Sequence, residues 1–227
     1  TTFYVNSSAA EGFYNVTVIM YDNSYNMGND TENLSLVIDN TPPSVTINSV
    51  NGASFVYTVN GSAVWVNFTY NETYPANYTI NVSNATASIN STVNTSVTGS
   101  NKSVTLNVGV ALNASATDGK YNLSVVMYDN ASNIDDDYKN HSVIVDTAPP
   151  SASSETPGNG TYTNDTTPLI GADVTDFGSG VNRSTINMSL NWDSSVNNLE
   201  NFDLEACGCI TPTANGYHIS YDLQTFT

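Results

Sequence analysis

Basic residues are nearly missing from this chain: four Lys plus Arg stand against 21 Asp plus Glu in 227 residues, a formal net charge of −17. A surface so poor in cations repels nucleic acid, whose binding needs clustered Lys and Arg. It repels anionic lipid for the same reason. Only 11% of residues are charged, so the net charge reflects scarce base more than abundant acid. A halophilic surface would carry far more acid, and cation binding is the more natural consequence.

Histidine is scarcer still. His141 and His218 are the two in the chain, and neither neighbours a convincing nucleophile. General acid–base catalysis needs tuned groups in a shaped cleft, so the chain reads as no enzyme. It has no phosphate loop and no zinc-ligand spacing. No run of about 18 apolar residues occurs, and no direct membrane insertion is expected. There is no initiator Met and no basic start followed by an apolar run, so any targeting segment or anchor is expected outside these residues. The 3.6-residue period of an amphipathic helix is missing from every window.

What is present is a repeat. The stretch Gly12 to Pro43 returns 107 residues later as Gly119 to Pro150, with the same order of apolar, polar and turn residues. Fixed-period self-similarity marks a tandem array, and this period suits a domain with its own core. It divides the chain into one complete unit, 42–147, and two partial ones, 1–41 and 148–227. The first partial unit holds the last strands of a domain and the third holds roughly the first half of one. The halves are expected either to pair between copies by strand addition or to be cut ends of a longer polypeptide.

Short runs of Val, Ile, Thr, Tyr and Phe alternate in polarity between Asn-Gly, Asp-Gly and Pro-Pro breaks. In the middle unit this predicts strands near 44–50, 54–59, 62–70, 77–83, 101–108, 119–128 and 140–146, with a weaker one near 86–93. Seven or eight strands in one unit predict an all-β sandwich. Trp65, beside Val64, Val66 and Phe68, is expected in its core.

Of 33 Asn, 21 open an Asn-x-Ser/Thr sequon, whereas 55 Ser plus Thr in this length would give about 8 by chance. The first partial unit has Asn6, Asn15, Asn29 and Asn33. The middle unit has Asn60, Asn67, Asn71, Asn77, Asn81, Asn84 and Asn90, then Asn94, Asn101, Asn113, Asn122, Asn130 and Asn140. The third has Asn159, Asn164, Asn182 and Asn187. This excess points to N-linked glycans on an exported, extracellular protein. Strand parity agrees: Asn15 and Asn122 fall opposite the apolar members of their strands. After Asn187 the sequons stop although Asn continues: the last residues either lie against something or are never offered to the glycosylation machinery.

The run Asp118-Gly119-Lys120-Tyr121, continuing NLSVVMYDNASN, resembles the penultimate strand of immunoglobulin-like repeats in archaeal and bacterial cell-surface proteins of the S-layer or surface-filament type. Tyr121 matches that fold's tyrosine corner. Asp39-Asn40-Thr41-Pro42-Pro43 and Asp146-Thr147-Ala148-Pro149-Pro150 resemble the family's linkers, stiffened by double Pro. In the third unit, Asn164 to Ile170, Asp176 to Val181 and Ser184 to Ile186 are similar to the first half of such a repeat. There, Arg183 to Ser189 echoes Asn77 to Ser83. The resemblance implies tandem immunoglobulin-like sandwiches, one complete and two partial.

It also implies a meeting of acids where units join. Asp118, Asp146, Asp173 and Asp176 would gather at the second joint. Glu11, Asp39 and Glu72 would gather at the first, with Asp129 and Asp135–Asp137 on a neighbouring loop. Six to eight hard oxygens suit calcium; equally, the acids are solvated loop residues. Cys207-Gly208-Cys209 leaves three states open: a local disulfide eased by Gly208, pairing elsewhere, or free thiols.

The expected function is structural: a glycan-coated, stiff rod within a cell-surface layer or filament, its partners being copies of itself or the rest of a longer repeat polypeptide. The stalk of a surface adhesin is the alternative. A carbohydrate-binding module ranks behind both, because no aromatic platform stands out among the 14 Tyr.

Overall fold

Alternating apolar and polar residues make strands throughout, and the only helical turn among the described residues is Arg183–Thr185. The computed structural model describes residues 4–90, 93–97, 103–191, 199–201, 204 and 206–223. The protein is all-β. Its residues fall into two compact units: Thr1–Val56 with Ala63–Asn113 and Tyr121–Ser142, and Tyr57–Ser62 with Ala114–Lys120 and Val143–Thr227.

The first unit opens with a hairpin, β1 (Gly12–Tyr21) and β2 (Met27–Ile38), paired antiparallel from Gly12↔Ile38 to Tyr21↔Met27. Asp22 closes its turn by accepting the backbone N–H groups of Ser24 and Asn26, both at 2.8 Å. Beyond it, β3 (Ser44–Val50), β5 (Ala63–Asn71) and β8 (Val104–Ala111) form a three-stranded sheet in the order β3-β5-β8. The other sheet contains β4 (Val56–Thr58), β6 (Pro75–Ser83), β7 (Val93–Ser96), β9 (Gly119–Asp129) and β10 (Ile134–Val145), ordered β4-β10-β9-β6-β7. This is the immunoglobulin-like arrangement. Strands β3, β5 and β8 take the places of A, B and E, and β6, β9 and β10 those of C, F and G.

Period-2 alternation fills the space between these sheets. Val64, Val66 and Phe68 of β5 face Tyr78, Ile80 and Val82 of β6 and Tyr121, Leu123, Val125 and Met127 of β9, all buried. Phe68 meets Tyr78 edge to face at 5.1 Å between ring centres. Burying a side chain such as Phe68 contributes about 1.5–3 kcal/mol. The same parity corrects the expectation for Trp65. Lying between Val64 and Val66, it must point the other way, and it is 53% exposed. There it covers Gly109, its cross-strand partner.

Strand β10 is longer than the sequence pattern suggests, and its early part has a definite task. Asp135 and Asp137 accept the Val45 and Ile47 backbone N–H groups at 2.9 and 2.7 Å, capping the edge of β3. These acids are therefore strand residues and not members of a loop cluster.

In the second unit, β11 (Ser151–Thr156), β12 (Leu169–Thr175), β15 (Ile210–Thr213) and β16 (Gly216–Asp222) form a sheet ordered β11-β12-β16-β15. That matches strands A, B, E and D. A short pair, β13 (Ser189–Asn191) and β14 (Leu199–Asn201), stands beside it in sequence. Leu204, Ile210 and Ile219 make a small core with Val174, Ile186, Met188, Tyr217 and Tyr221. The likeness of Arg183–Ser189 to the strand Asn77–Ser83 does not extend to conformation. Asn182 accepts the Ser184 N–H and hydroxyl and winds Arg183–Thr185 into a 3₁₀ turn.

Candidate functional site: two acidic joints and the glycan acceptors

Each linker is latched by the acid that precedes a repeat's tyrosine strand. At the first joint, Glu11 Oε1 accepts the Asn40 N–H at 3.1 Å and the Thr41 hydroxyl at 2.6 Å. At the second, Asp118 Oδ1 accepts the Thr147 N–H at 2.9 Å and its hydroxyl at 2.7 Å. The acid is one methylene shorter in the second copy, and its Thr stands one position earlier in the linker. The two changes compensate. The linker's own Asp repeats as well: Asp39 accepts the Thr41 N–H and Asp146 the Ala148 N–H, both at 3.2 Å.

Beside each latch lies an acid-lined cleft. The first, about 590 Å³, is bounded by Glu11, Asp39, Glu72 and Tyr74. The second, about 390 Å³, is bounded by Asp118, Asp146, Asp176 and Phe177. In the first unit the Asp39, Glu72 and Asp129 carboxylates come within 4.8 Å of one another, the last two buried. Asn133 steadies the group, giving one amide hydrogen bond to Asp129 Oδ2 at 2.7 Å and another to the Asp39 carbonyl at 3.1 Å. Glu72 accepts the Tyr74 N–H at 2.7 Å.

The second joint assembles differently from the sequence expectation. Asp118, Asp146 and Asp176 line one cleft, but Asp173 does not join them. It sits within β12, cross-strand from His218, and its carboxylate meets His218 Nδ1 at 2.7 Å. This hydrogen bond from His218, helped by Ser154, holds the Asp173 carboxyl below its usual range. Strand parity explains the separation, since Ala172 and Val174 take the inner face. Asp176 accepts the Gly178 and Gly180 N–H groups at 2.8 and 2.9 Å.

Asp146 is the link to the third partial unit, through its hydrogen bond from Ser179 N–H. Hydrogen bonds from Ser179, side chain first and backbone second, hold its carboxyl below the usual range; the Ala148 N–H adds to this, and burial opposes it. A depressed folded pKa stabilises the fold above the unfolded value of about 3.9 and ceases to do so as pH falls through the folded value. Asp146→Asn is therefore expected to lower Tm at pH 7 by roughly 5 °C, with a smaller gap to the parent below pH 3. Thermal melts at the two pH values check this; a gap that does not narrow in acid refutes it.

Thirteen of the 21 sequon Asn are exposed and five more, Asn67, Asn77, Asn81, Asn84 and Asn122, are partly so. Asn101 and the side chain of Asn94 lie outside the described residues. Asn90 is the exception. It is 5% exposed, its Oδ1 accepts the Val82 N–H at 2.6 Å and its amide nitrogen donates to the Ile80 carbonyl at 3.1 Å. The nitrogen a glycan would occupy is spent inside the fold, so Asn90 is a structural residue.

Asn15 and Asn122 show a role that sequence reading missed. Their Oδ1 atoms accept the Leu34 and His141 N–H groups at 2.8 and 2.9 Å. Both donor strands turn through positive φ at those residues, 56° and 50°, a conformation uncommon outside glycine. The Asn carbonyl supports this bend while the amide nitrogen makes no hydrogen bond among the described residues. The only sequence signal was an Asn recurring in mid-strand. Tyr14 donates to the Ala10 carbonyl at 2.6 Å, tying the first copy's tyrosine strand to its preceding loop. Cys207 and Cys209 are joined as a disulfide across Gly208, which has φ of 69°.

The chain matches no family model and no curated protein.

Proposed function

We propose that this chain is a structural segment of an extracellular cell-surface glycoprotein, working within a surface layer or filament of the kind its repeats resemble. The observation that supports this most is the placement of the sequons. Asn15 and Asn122 recur at one position of the repeat, on the solvent side of their strands, with the amide nitrogen left over after the carbonyl is used. Exposed acceptors on both partial units and the middle one would coat the chain with sugar. The double Pro stiffens each latched linker in an extended form. Calcium belongs to this reading at the first joint, where the Asp39, Glu72 and Asp129 carboxylates offer hard oxygens within 4.8 Å of one another.

The test is one preparation from a glycosylating host, examined in two ways. Intact mass should fall on enzymatic deglycosylation, and electron microscopy should show ordered assemblies that diminish in chelator. An unchanged mass together with soluble monomers in both conditions would sink the reading.

A further inference from the structure

The β1–β2 hairpin exposes a face whose counterpart is sealed elsewhere in the same chain. Strands β1 and β2 repeat β9 and β10 at an offset of 107 residues. In β9 the inward residues Tyr121, Leu123, Val125 and Met127 are at most 1% exposed. Their counterparts are Tyr14, Val16, Val18 and Met20, and of these Val18 and Met20 are 55% and 59% exposed. A two-stranded ribbon with such a face is marginal in water alone.

The complementary surface lies in the second unit. Strands β11 and β12 repeat β3 and β5, and β16 pairs with β12 as β8 pairs with β5. The inward residues of β5 are sealed, yet Ile170, Ala172 and Val174 of β12 are only partly buried. No strand equivalent to β9 or β10 covers them among the described residues. The sequons also stop before this region's last strands, after Asn187.

A polar contact fixes the register. In the complete sandwich Asp137 of β10 caps the Ile47 N–H at the edge of β3. Its repeat counterpart is Asp30, cross-strand from Val18 and so on the same bare face. Asp30 makes no hydrogen bond among the described residues, and the counterpart of Ile47 is Ser154 on β11.

We infer that copies of this chain join head to tail: the β1–β2 hairpin of one molecule lies over the β11-β12-β16-β15 sheet of the next and completes its sandwich. Val18 and Met20 then pack on Ile170 and Val174, and Asp30 accepts the N–H of the partner's Ser154. This goes deeper into the proposed assembly but is separable from it, because closure by strands needs neither glycans nor calcium.

The experiment uses the 227-residue chain made without glycans, in chelator, by sedimentation over a concentration series. The parent should grow beyond dimers as concentration rises. Val18→Asp spoils the head and Ile170→Asp the tail, so each alone should stay at the 24.2 kDa chain mass. Mixed one to one, they should form dimers and nothing larger, because one good head meets one good tail. Asp30→Ala, which leaves the apolar face whole, should weaken association by about tenfold. Circular dichroism matching the parent shows each variant folded, and Asp30→Ala carries the test if an Asp variant is not. A parent that stays monomeric throughout overturns the inference, as does folded Val18→Asp or Asp30→Ala associating as the parent does.

Discussion

Asn90→Ala is expected to destabilise the middle sandwich by about 3 kcal/mol, the cost of leaving two buried backbone groups without partners. Asn90 sits in a sequon, which would ordinarily place it on the surface. Instead it is buried against β6, where its amide satisfies the Val82 N–H and the Ile80 carbonyl at once. Truncation removes both partners at a buried position, so each orphaned group costs its desolvation. Asn90→Asp is a useful companion, since a carboxylate keeps the acceptor for Val82 but places negative charge against the Ile80 carbonyl. Denaturant unfolding followed by the Tyr signal measures both. A loss below about 1 kcal/mol, as for an ordinary surface substitution, would contradict this role. Glycosylated mass should be the same in the parent and in Asn90→Gln.

Gly216→Ala is expected to cost about 3 kcal/mol in the second unit, the upper part of the range for overpacking. A Cβ at residue 216 would overlap the Val174 carbonyl oxygen, a backbone atom that cannot swing aside. Relief requires β16 to move off β12, which strains the Thr175↔Gly216 pairing and the hydrogen bond from Asp176 N–H to the Asn215 carbonyl at 3.0 Å. Both the sheet and the acid beside the second linker then suffer. Gly158→Ala serves as control, because there a Cβ meets nothing closer than the Thr161 hydroxyl at 3.8 Å. Hydrogen exchange at β12 and β16 should accelerate in Gly216→Ala alone. Equal protection in the two variants would rule the clash out.

Much of the strand layout was legible because it rests on local pattern. Ser44–Val50, Ala63–Asn71 and Gly119–Asp129 lie within a residue of expectation, since alternation and turn residues act over a few positions. The expected strand near 86–93 is instead Val93–Ser96, with isolated bridges at Ser88 and Asn90. Here the amide of Asn90 supplies hydrogen bonds that a backbone ladder would otherwise make. Trp65 shows a different limit. Hydrophobicity argued for the core and parity for the surface, and parity prevailed because a strand cannot turn one residue inward between two that are already buried.

The sites divide along the same line. The latches at Glu11 and Asp118 were visible as acids at a repeated offset, yet their compensation with Thr41 and Thr147 is a matter of reach and needs coordinates. Asp129 and Asp135 were equally plain as acids in the sequence. Only the fold sends Asp129 to the cluster with Asp39 and Glu72 and Asp135 to the edge of β3.

By itself, the sequence determined that this is an all-β chain with a 107-residue repeat, poor in base and dense with sequons. Those properties are written in composition and short-range period, which need no partner to exist. The tertiary structure decided which acids meet, which Asn is buried, and which apolar faces are sealed or bare. Each of these depends on residues far apart in the chain approaching to within a hydrogen bond or a van der Waals contact, and no local pattern encodes such a distance.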